Sequence, residues 1–168
     1  MRASFLVIGP LLGRFKRAEI SLPGGCAIGV RSVNMHLEAL QILGAHINSK
    51  EGLISAKTEG LKGATHCFDF QTHTGTEYIM MAACLAEGTT TLVNVSCEPE
   101  IVDFASFLNE MGAKIKGAST PIMSIEGVKK MSSVEYAAMP SRIETAFFFA
   151  AAAITGGELI VKNAILSN

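Results

Sequence analysis

Cys26 stands directly behind Gly24 and Gly25 and five residues ahead of Arg31, in the stretch SLPGGCAIGVRSVNMH (residues 21–36). A free thiol has a pKa of about 8.5, so it is mostly protonated at neutral pH yet readily ionised. It can therefore give a proton to a reacting atom or attack as a nucleophile. A guanidinium nearby favours the thiolate and presents a fork of donors that suits phosphate and carboxylate oxygens. Pro23-Gly24-Gly25 is turn chemistry, and two glycines leave the thiol without shielding neighbours. The opposite reading, a cysteine buried as a small apolar filler, stays open on spacing alone, because free cysteine is among the most buried residue types.

Other chemistry-bearing residues are less patterned. Thr74-Gly75-Thr76 precedes a helix expected from about Glu77, and small residues there serve either as an anion cradle of backbone N–H groups or as ordinary caps. His36 opens a helix, where it can cap the end or pack against the loop. His46, His66 and His73 lack HxxxH spacing, and Cys26, Cys67, Cys84 and Cys97 contain no CxxC pair, so no metal site is expected. Neither GxxxxGK[ST] nor GxGxxG occurs, which removes the P-loop and Rossmann readings. Arg142 and Glu144 read as a solvated helix start.

These residues must be positioned by a chain of 168 residues, 49% of them apolar, a length that suits one domain or two small ones. Its 14 Lys and Arg against 15 Asp and Glu provide no basic excess, so no nucleic-acid partner is expected. The cysteine usage and the absence of a signal peptide fit a reducing cytoplasm. The apolar run Phe147 to Ile154 is far shorter than the roughly 20 residues that cross a bilayer, so no membrane insertion is expected and the run reads as a core helix.

Self-comparison supplies the architecture. GTEYIMMAACLAEGTTTLVNV (75–95) and RIETAFFFAAAAITGGELIVKNA (142–164) share one layout: Glu, an Ala-rich apolar stretch, Gly, then a β-type run ending near Asn. HLEALQILGAHINSKEGLISAKTEG (36–60) and FASFLNEMGAKIKGASTPIMSIEG (104–127) both run from a helix through Gly-Ala into two strands, with Gly44 and Gly112 lying 68 positions apart. One copy is a βαβαββ unit of an α/β (α+β) fold. Leu37, Leu40 and Leu43, like Phe104, Phe107 and Leu108, recur at helical spacing, while TTLVNV and ELIVKN read as strands. Gly44 and Gly112 are expected as left-handed helix caps, and Glu98-Pro99-Glu100 as a helix start. Residues 1–25 resemble only part of a further copy.

RASFLVIGPLLGRF, LPGGCAIGVRSVNMHLEALQILGA, EPEIVDFASFLNEMGAKI and MPSRIETAFFFAAAAI together resemble the UDP-N-acetylglucosamine 1-carboxyvinyltransferase family of enolpyruvyl transferases, over essentially the whole chain. The cysteine loop separates this group from the 3-phosphoshikimate 1-carboxyvinyltransferases, which share the repeat without it. The resemblance implies an inverse α/β barrel of two lobes, each of three βαβαββ units. Residues 1–138 would form the cysteine-loop lobe and 139–168 the start of the second lobe, so that the chain is a central fragment incomplete at both ends.

The implied reaction moves the enolpyruvyl group of phosphoenolpyruvate to the 3'-hydroxyl of UDP-N-acetylglucosamine with loss of phosphate, in peptidoglycan synthesis, without metal or cofactor. Cys26 matches the family's general acid, the target of the epoxide antibiotic fosfomycin. Arg31 and Arg2 match arginines that meet phosphoenolpyruvate. Ser32, Val33, Asn34 and Met35 match the uridine-contacting stretch, and Phe70, Gln71, Thr72 and His73 a segment that meets the UDP moiety. Asn34 stands where Asp is usual and Ser32 where Pro is usual, so an acceptor oxygen is kept at 34 but its charge is lost. The family's Lys-Asn pair and general-base Asp match nothing in these 168 residues, and the chain alone is expected to be inactive. A non-catalytic module that self-associates through uncovered repeat faces, and a 3-phosphoshikimate enzyme, are the competing readings.

Overall fold

The computed structural model describes residues 2–22 and 33–165. Contacts divide the chain into two units, Met1–Val134 and Glu135–Asn168. The first begins with a 3-10 helix, Arg2–Val7, continuing as α1 (Ile8–Phe15) and followed by β1 (Arg17–Ser21), α2 (Asn34–Ile42), β2 (His46–Lys50) and β3 (Leu53–Lys57). Next come β4 (Thr65–Cys67), α3 (His73–Ala83), β5 (Thr89–Val93), α4 (Pro99–Glu110), β6 (Lys114–Lys116) and β7 (Ile122–Glu126). The latter run has the βαβαββ order that the repeat predicts. The former has the same order without an opening strand among the described residues.

Each run makes its own sheet, ordered β1-β3-β2 and β4-β5-β7-β6. The pairings are antiparallel except β4 with β5, which a helix connects as parallel strands require. In both sheets the returning arm of the hairpin lies in the middle, between its hairpin partner and the strand that follows the first helix. Ala18 faces Ala56 across one ladder, and Leu92 faces Met123 across the other. Alternation turns these side chains inward with Ile54 and Ile125, while Glu19, Lys57 and Glu126 point out. A single buried cluster joins them to Phe5, Ile8, Leu12, Leu40, Tyr78, Ile79 and Ile101 from the helices.

The helix ends follow from the sequence. At the end of α2 the Gly44 N–H donates to the Gln41 carbonyl and the Ala45 N–H to Leu40; at the end of α4, Gly112 donates to Asn109 and Ala113 to Leu108. Both glycines have positive φ, +89° and +102°, so the predicted left-handed caps are present as Schellman motifs. Pro99 opens α4, where a missing N–H costs nothing.

Helices α1 and α3 approach so closely that a Cβ on Gly9 would lie 2.7 Å from the Tyr78 carbonyl oxygen. Four residues on, a Cβ at Gly13 would meet the Leu85 side chain at 3.1 Å. The two glycines share one helix face and let the backbones touch.

The second unit departs from expectation. Its helix α5 (Arg142–Thr155) is capped at its start by the Ser141 hydroxyl, which accepts from the Glu144 N–H at 3.2 Å, so Arg142 and Glu144 do mark a helix start. Yet none of its residues is buried, and Ile143, Phe147, Phe148, Phe149 and Ile154 are exposed, so Phe147 to Ile154 is not a core helix. ELIVKN (158–163) is not a strand. Both corrections have one cause: among the described residues of this unit there is a single helix and no strand, so nothing there can cover α5 or pair with residues 158–163. Among the described residues, no helix is long and apolar enough to cross a membrane.

Gly9→Ala should lower unfolding stability by about 1–3 kcal/mol, because the new methyl must push α1 from the α3 backbone. Gly60→Ala, where nothing lies within 4 Å, should change it by less than about 0.5 kcal/mol. Urea titration of both variants checks the contrast.

Candidate functional site

The predicted site residues fall on four segments. Cys26, Arg31 and Ser32 lie outside the described residues, as does the Arg2 side chain, although Arg2 opens the 3-10 helix. Val33 is buried ahead of α2, and its carbonyl accepts from the His36 and Leu37 N–H groups at 3.0 and 3.1 Å. Asn34 is exposed at the first position of α2, and Met35 is half-buried against the core. Phe70 and Gln71 are exposed, whereas Thr72 and His73 are half-buried.

Thr72 sets where α3 begins. It is extended, with φ −130° and ψ 121°, and its Oγ1 accepts from the Gly75 N–H at 3.2 Å. The helix therefore starts at His73 rather than near Glu77, because a threonine hydroxyl three residues upstream captures an N-terminal amide. Thr74-Gly75-Thr76 lies within the first turn, and the Gly75 and Thr76 amides are already engaged, by the Thr72 hydroxyl and carbonyl. Of the two sequence readings, the cap is the one that the geometry supplies. Around it, the Thr76 hydroxyl donates to the Thr72 carbonyl at 2.8 Å and accepts from the Ser96 N–H at 3.2 Å. Asn94 Nδ2 donates to the Phe68 carbonyl at 2.8 Å, which holds the stretch leading into Phe70.

Residues next to two of the predicted stretches meet. His36 Nε2 lies 3.2 Å from Thr74 Oγ1, joining the first turn of α2 to the first turn of α3. The ring is edge-on to Phe5 at 5.7 Å and to Tyr78 at 5.4 Å, and Phe5 stacks on Tyr78 at 5.3 Å. Phe5 comes three residues after Arg2, so the element that begins with Arg2 is packed against the same point. The expectation that His36 caps its helix or packs on the loop misses this cluster. Helical spacing marks Phe5 and Tyr78 as apolar-face residues, but no local pattern pairs residue 36 with residue 74.

Buried titratable groups near these segments have perturbed ionisation. Burial pushes the Tyr78 phenol above its ordinary value and the Cys84 thiol up to about 12, so Cys84 is an inert core residue. A groove of about 310 Å³ is lined by Leu6, Val7, Pro10, Glu77, Met81 and Phe104, none of them a predicted site residue. Desolvation there raises the Glu77 carboxyl; His73, 3.5 Å away, opposes the shift and Glu100 adds to it. Among the described residues, no three His, Cys, Asp or Glu side chains gather as a metal site.

The sequence profile of the EPSP synthase (3-phosphoshikimate 1-carboxyvinyltransferase) family matches residues 1–168. The chain belongs to that family. Within it, the UDP-N-acetylglucosamine 1-carboxyvinyltransferase of Desulfatibacillum aliphaticivorans is 51% identical over 165 residues, covering 98% of this chain and 40% of the relative. That of Geotalea uraniireducens (strain Rf4) is 54% identical over 163 residues, 97% of this chain and 39% of the relative. The chain thus spans about 40% of the length of these curated relatives. The fold is likewise that of solved members of the group. The enolpyruvyl transferase NikO from Streptomyces tendae superposes with a TM-score of 0.71 at 19% identity, covering 87% of this chain and 35% of that one. EPSP synthase from Acinetobacter baumannii gives 0.67 at 22% identity, over 90% and 34%. The α/β class read from the repeat agrees with both.

Glu77, with its folded-state pKa raised, contributes stability that is fully present below the unfolded carboxylate value and is lost as pH rises through the folded value. Glu77→Gln should therefore gain stability relative to the parent across the window from the ordinary carboxylate range up to the raised value. Below that window the difference should be flat. Urea midpoints of both proteins at several pH values check the sign.

Proposed function

We propose that this chain carries the cysteine-loop part of an enzyme that transfers the enolpyruvyl group of phosphoenolpyruvate to the 3'-hydroxyl of UDP-N-acetylglucosamine. The observation that carries the reading is the His36–Thr74 contact, which joins the residue that follows Asn34 and Met35 to the residue that follows Thr72 and His73. The 51 and 54% identity to UDP-N-acetylglucosamine enzymes supports that acceptor over a shikimate phosphate.

In this reading a base, matched by none of these 168 residues, takes the acceptor hydroxyl's proton as its oxygen bonds to C2 of phosphoenolpyruvate, and the Cys26 thiol gives its proton to the methylene carbon, forming a tetrahedral adduct. Loss of phosphate, with removal of a proton from the same carbon, restores the enol ether. Arg31 and Arg2 hold the phosphoenolpyruvate oxygens through paired N–H donors. Ser32, Val33, Asn34 and Met35 contact the uridine, and Phe70, Gln71, Thr72 and His73 the rest of the UDP moiety. Asn34 keeps an acceptor for uracil or ribose without adding a negative charge beside the diphosphate. A cytoplasmic location belongs to the same reading.

The exposed apolar residues of α5 support self-association as a further property of the isolated chain. Sedimentation velocity should show concentration-dependent association that Phe147→Gln with Phe149→Gln weakens; an unchanged clean monomer in both proteins contradicts it.

For the main reading, calorimetry on the chain should detect UDP-N-acetylglucosamine binding, and intact-mass spectrometry should show a single fosfomycin adduct at Cys26. Cys26→Ser should abolish the adduct, and Cys84 should stay unmodified in the folded protein. With both substrates present, the chain alone should release no phosphate. Preferential binding of shikimate 3-phosphate would overturn the assigned acceptor, and turnover near that of an ordinary enzyme would overturn the expected inactivity.

A further inference from the structure

We propose that His36 is a positioning residue of the nucleotide subsite, holding the first turn of α2 in register with the first turn of α3 through its hydrogen bond with Thr74. The inference rests on the reading of Asn34, Met35, Thr72 and His73 as nucleotide contacts, and it adds the device that keeps the two pairs aligned.

Asn34 and Met35 immediately precede His36, and Thr72 and His73 immediately precede Thr74. Two sets of candidate contacts, 38 residues apart, are thus each within two residues of one 3.2 Å hydrogen bond. His36 is 4% exposed. A polar ring so deeply placed is costly unless bonded, so its partner is a fixed feature of the packing. Phe5 and Tyr78 meet the imidazole edge-on, with interplanar angles of 88° and 72°, and hold its plane. They are stacked on each other at 16°, so a rotation of the ring would have to disturb both. The imidazole is consequently a rigid strut. One end is fixed to the backbone of α2, whose first turn closes on the Val33 carbonyl; the other is fixed to the cap region of α3, which Thr72 closes.

A ligand that needs groups from both turns binds well only if their separation is set beforehand, and misplacement by about 1 Å is enough to weaken such a site strongly. His36 touches none of the proposed ligand atoms in this scheme. Its effect passes through Asn34, Met35, Thr72 and His73.

The test uses the whole chain and two readouts. Thr74→Val keeps the shape of the side chain but removes its hydroxyl, whereas Thr74→Ser keeps the hydroxyl. In the valine variant, hydrogen exchange at the His36 and Leu37 amides should speed up by roughly three- to tenfold, the scale of one net hydrogen bond, with β7 amides changed by less than about twofold. Affinity for UDP-N-acetylglucosamine should fall by a similar factor, and serine should restore both. His36→Leu should reproduce the valine effect, and the double variant should bind no more weakly than either single one.

Unchanged exchange at α2 in the valine variant overturns the strut. Altered exchange with unaltered affinity overturns its role in the subsite, as does additivity in the double variant. If the parent chain binds no UDP-N-acetylglucosamine, the nucleotide reading falls and the positioning role with it, while the exchange measurement still decides whether the strut exists.

Discussion

The contact between Gly9 and the Tyr78 carbonyl oxygen is the constraint from which the rest of the first unit follows. With no side chain at position 9, α1 lies directly on α3, and Gly13 extends that contact by one turn. The 3-10 helix that feeds α1 is thereby carried over the middle of α3, where Phe5 finds Tyr78 and both find His36. Were α1 a side chain's width further out, Phe5 would no longer reach that stack. The aromatic cluster and the alignment of α2 with α3 are consequences of a backbone contact that contains no functional group.

Polar side chains then fix the connections that packing alone would leave loose. Asn94 is bonded to the Phe68 carbonyl and Thr76 to the Ser96 N–H, so the segments before and after α3 are tied together. Asn109 exchanges two hydrogen bonds with the backbone of Ile115, which fixes the start of the β6–β7 hairpin against α4. Thr58 does the same for the first repeat, donating to the Gly44 carbonyl and accepting from the Gly60 N–H. Each of these side chains satisfies a backbone group that would otherwise need water, so the loops are specified as closely as the helices.

Features encoded locally were legible in the sequence. The βαβαββ order, the two Schellman glycines and the Pro99 helix start each depend on residues a few positions apart. The start of α3 lies earlier than the expected position near Glu77 because the Thr72 hydroxyl caps the Gly75 amide from three residues upstream. The expectations for FFFAAAAI and ELIVKN failed for a different reason. An apolar helix becomes a core helix, and a β-type run becomes a strand, only when other elements are there to cover or pair with them, and residues 135–165 supply none. At the candidate site, Cys26, Arg31 and their neighbours are proposed from pattern and family resemblance. The His36–Thr74 bond was not legible, because neither residue is unusual where it stands and their meeting depends on how α2 packs on α3.

The two sheets differ in one respect that bears on solubility. In the second, β4 lies alongside β5; in the first, the corresponding side of β1 has no strand among the described residues, and β1 is an edge. An open edge with unpaired N–H and C=O groups is a template for runaway pairing between molecules. The sequence of β1, Arg17-Ala18-Glu19-Ile20-Ser21, sets two opposite charges on its exposed side. A neighbouring chain adding a strand there would have to accommodate both charges, so this edge discourages strand addition between molecules.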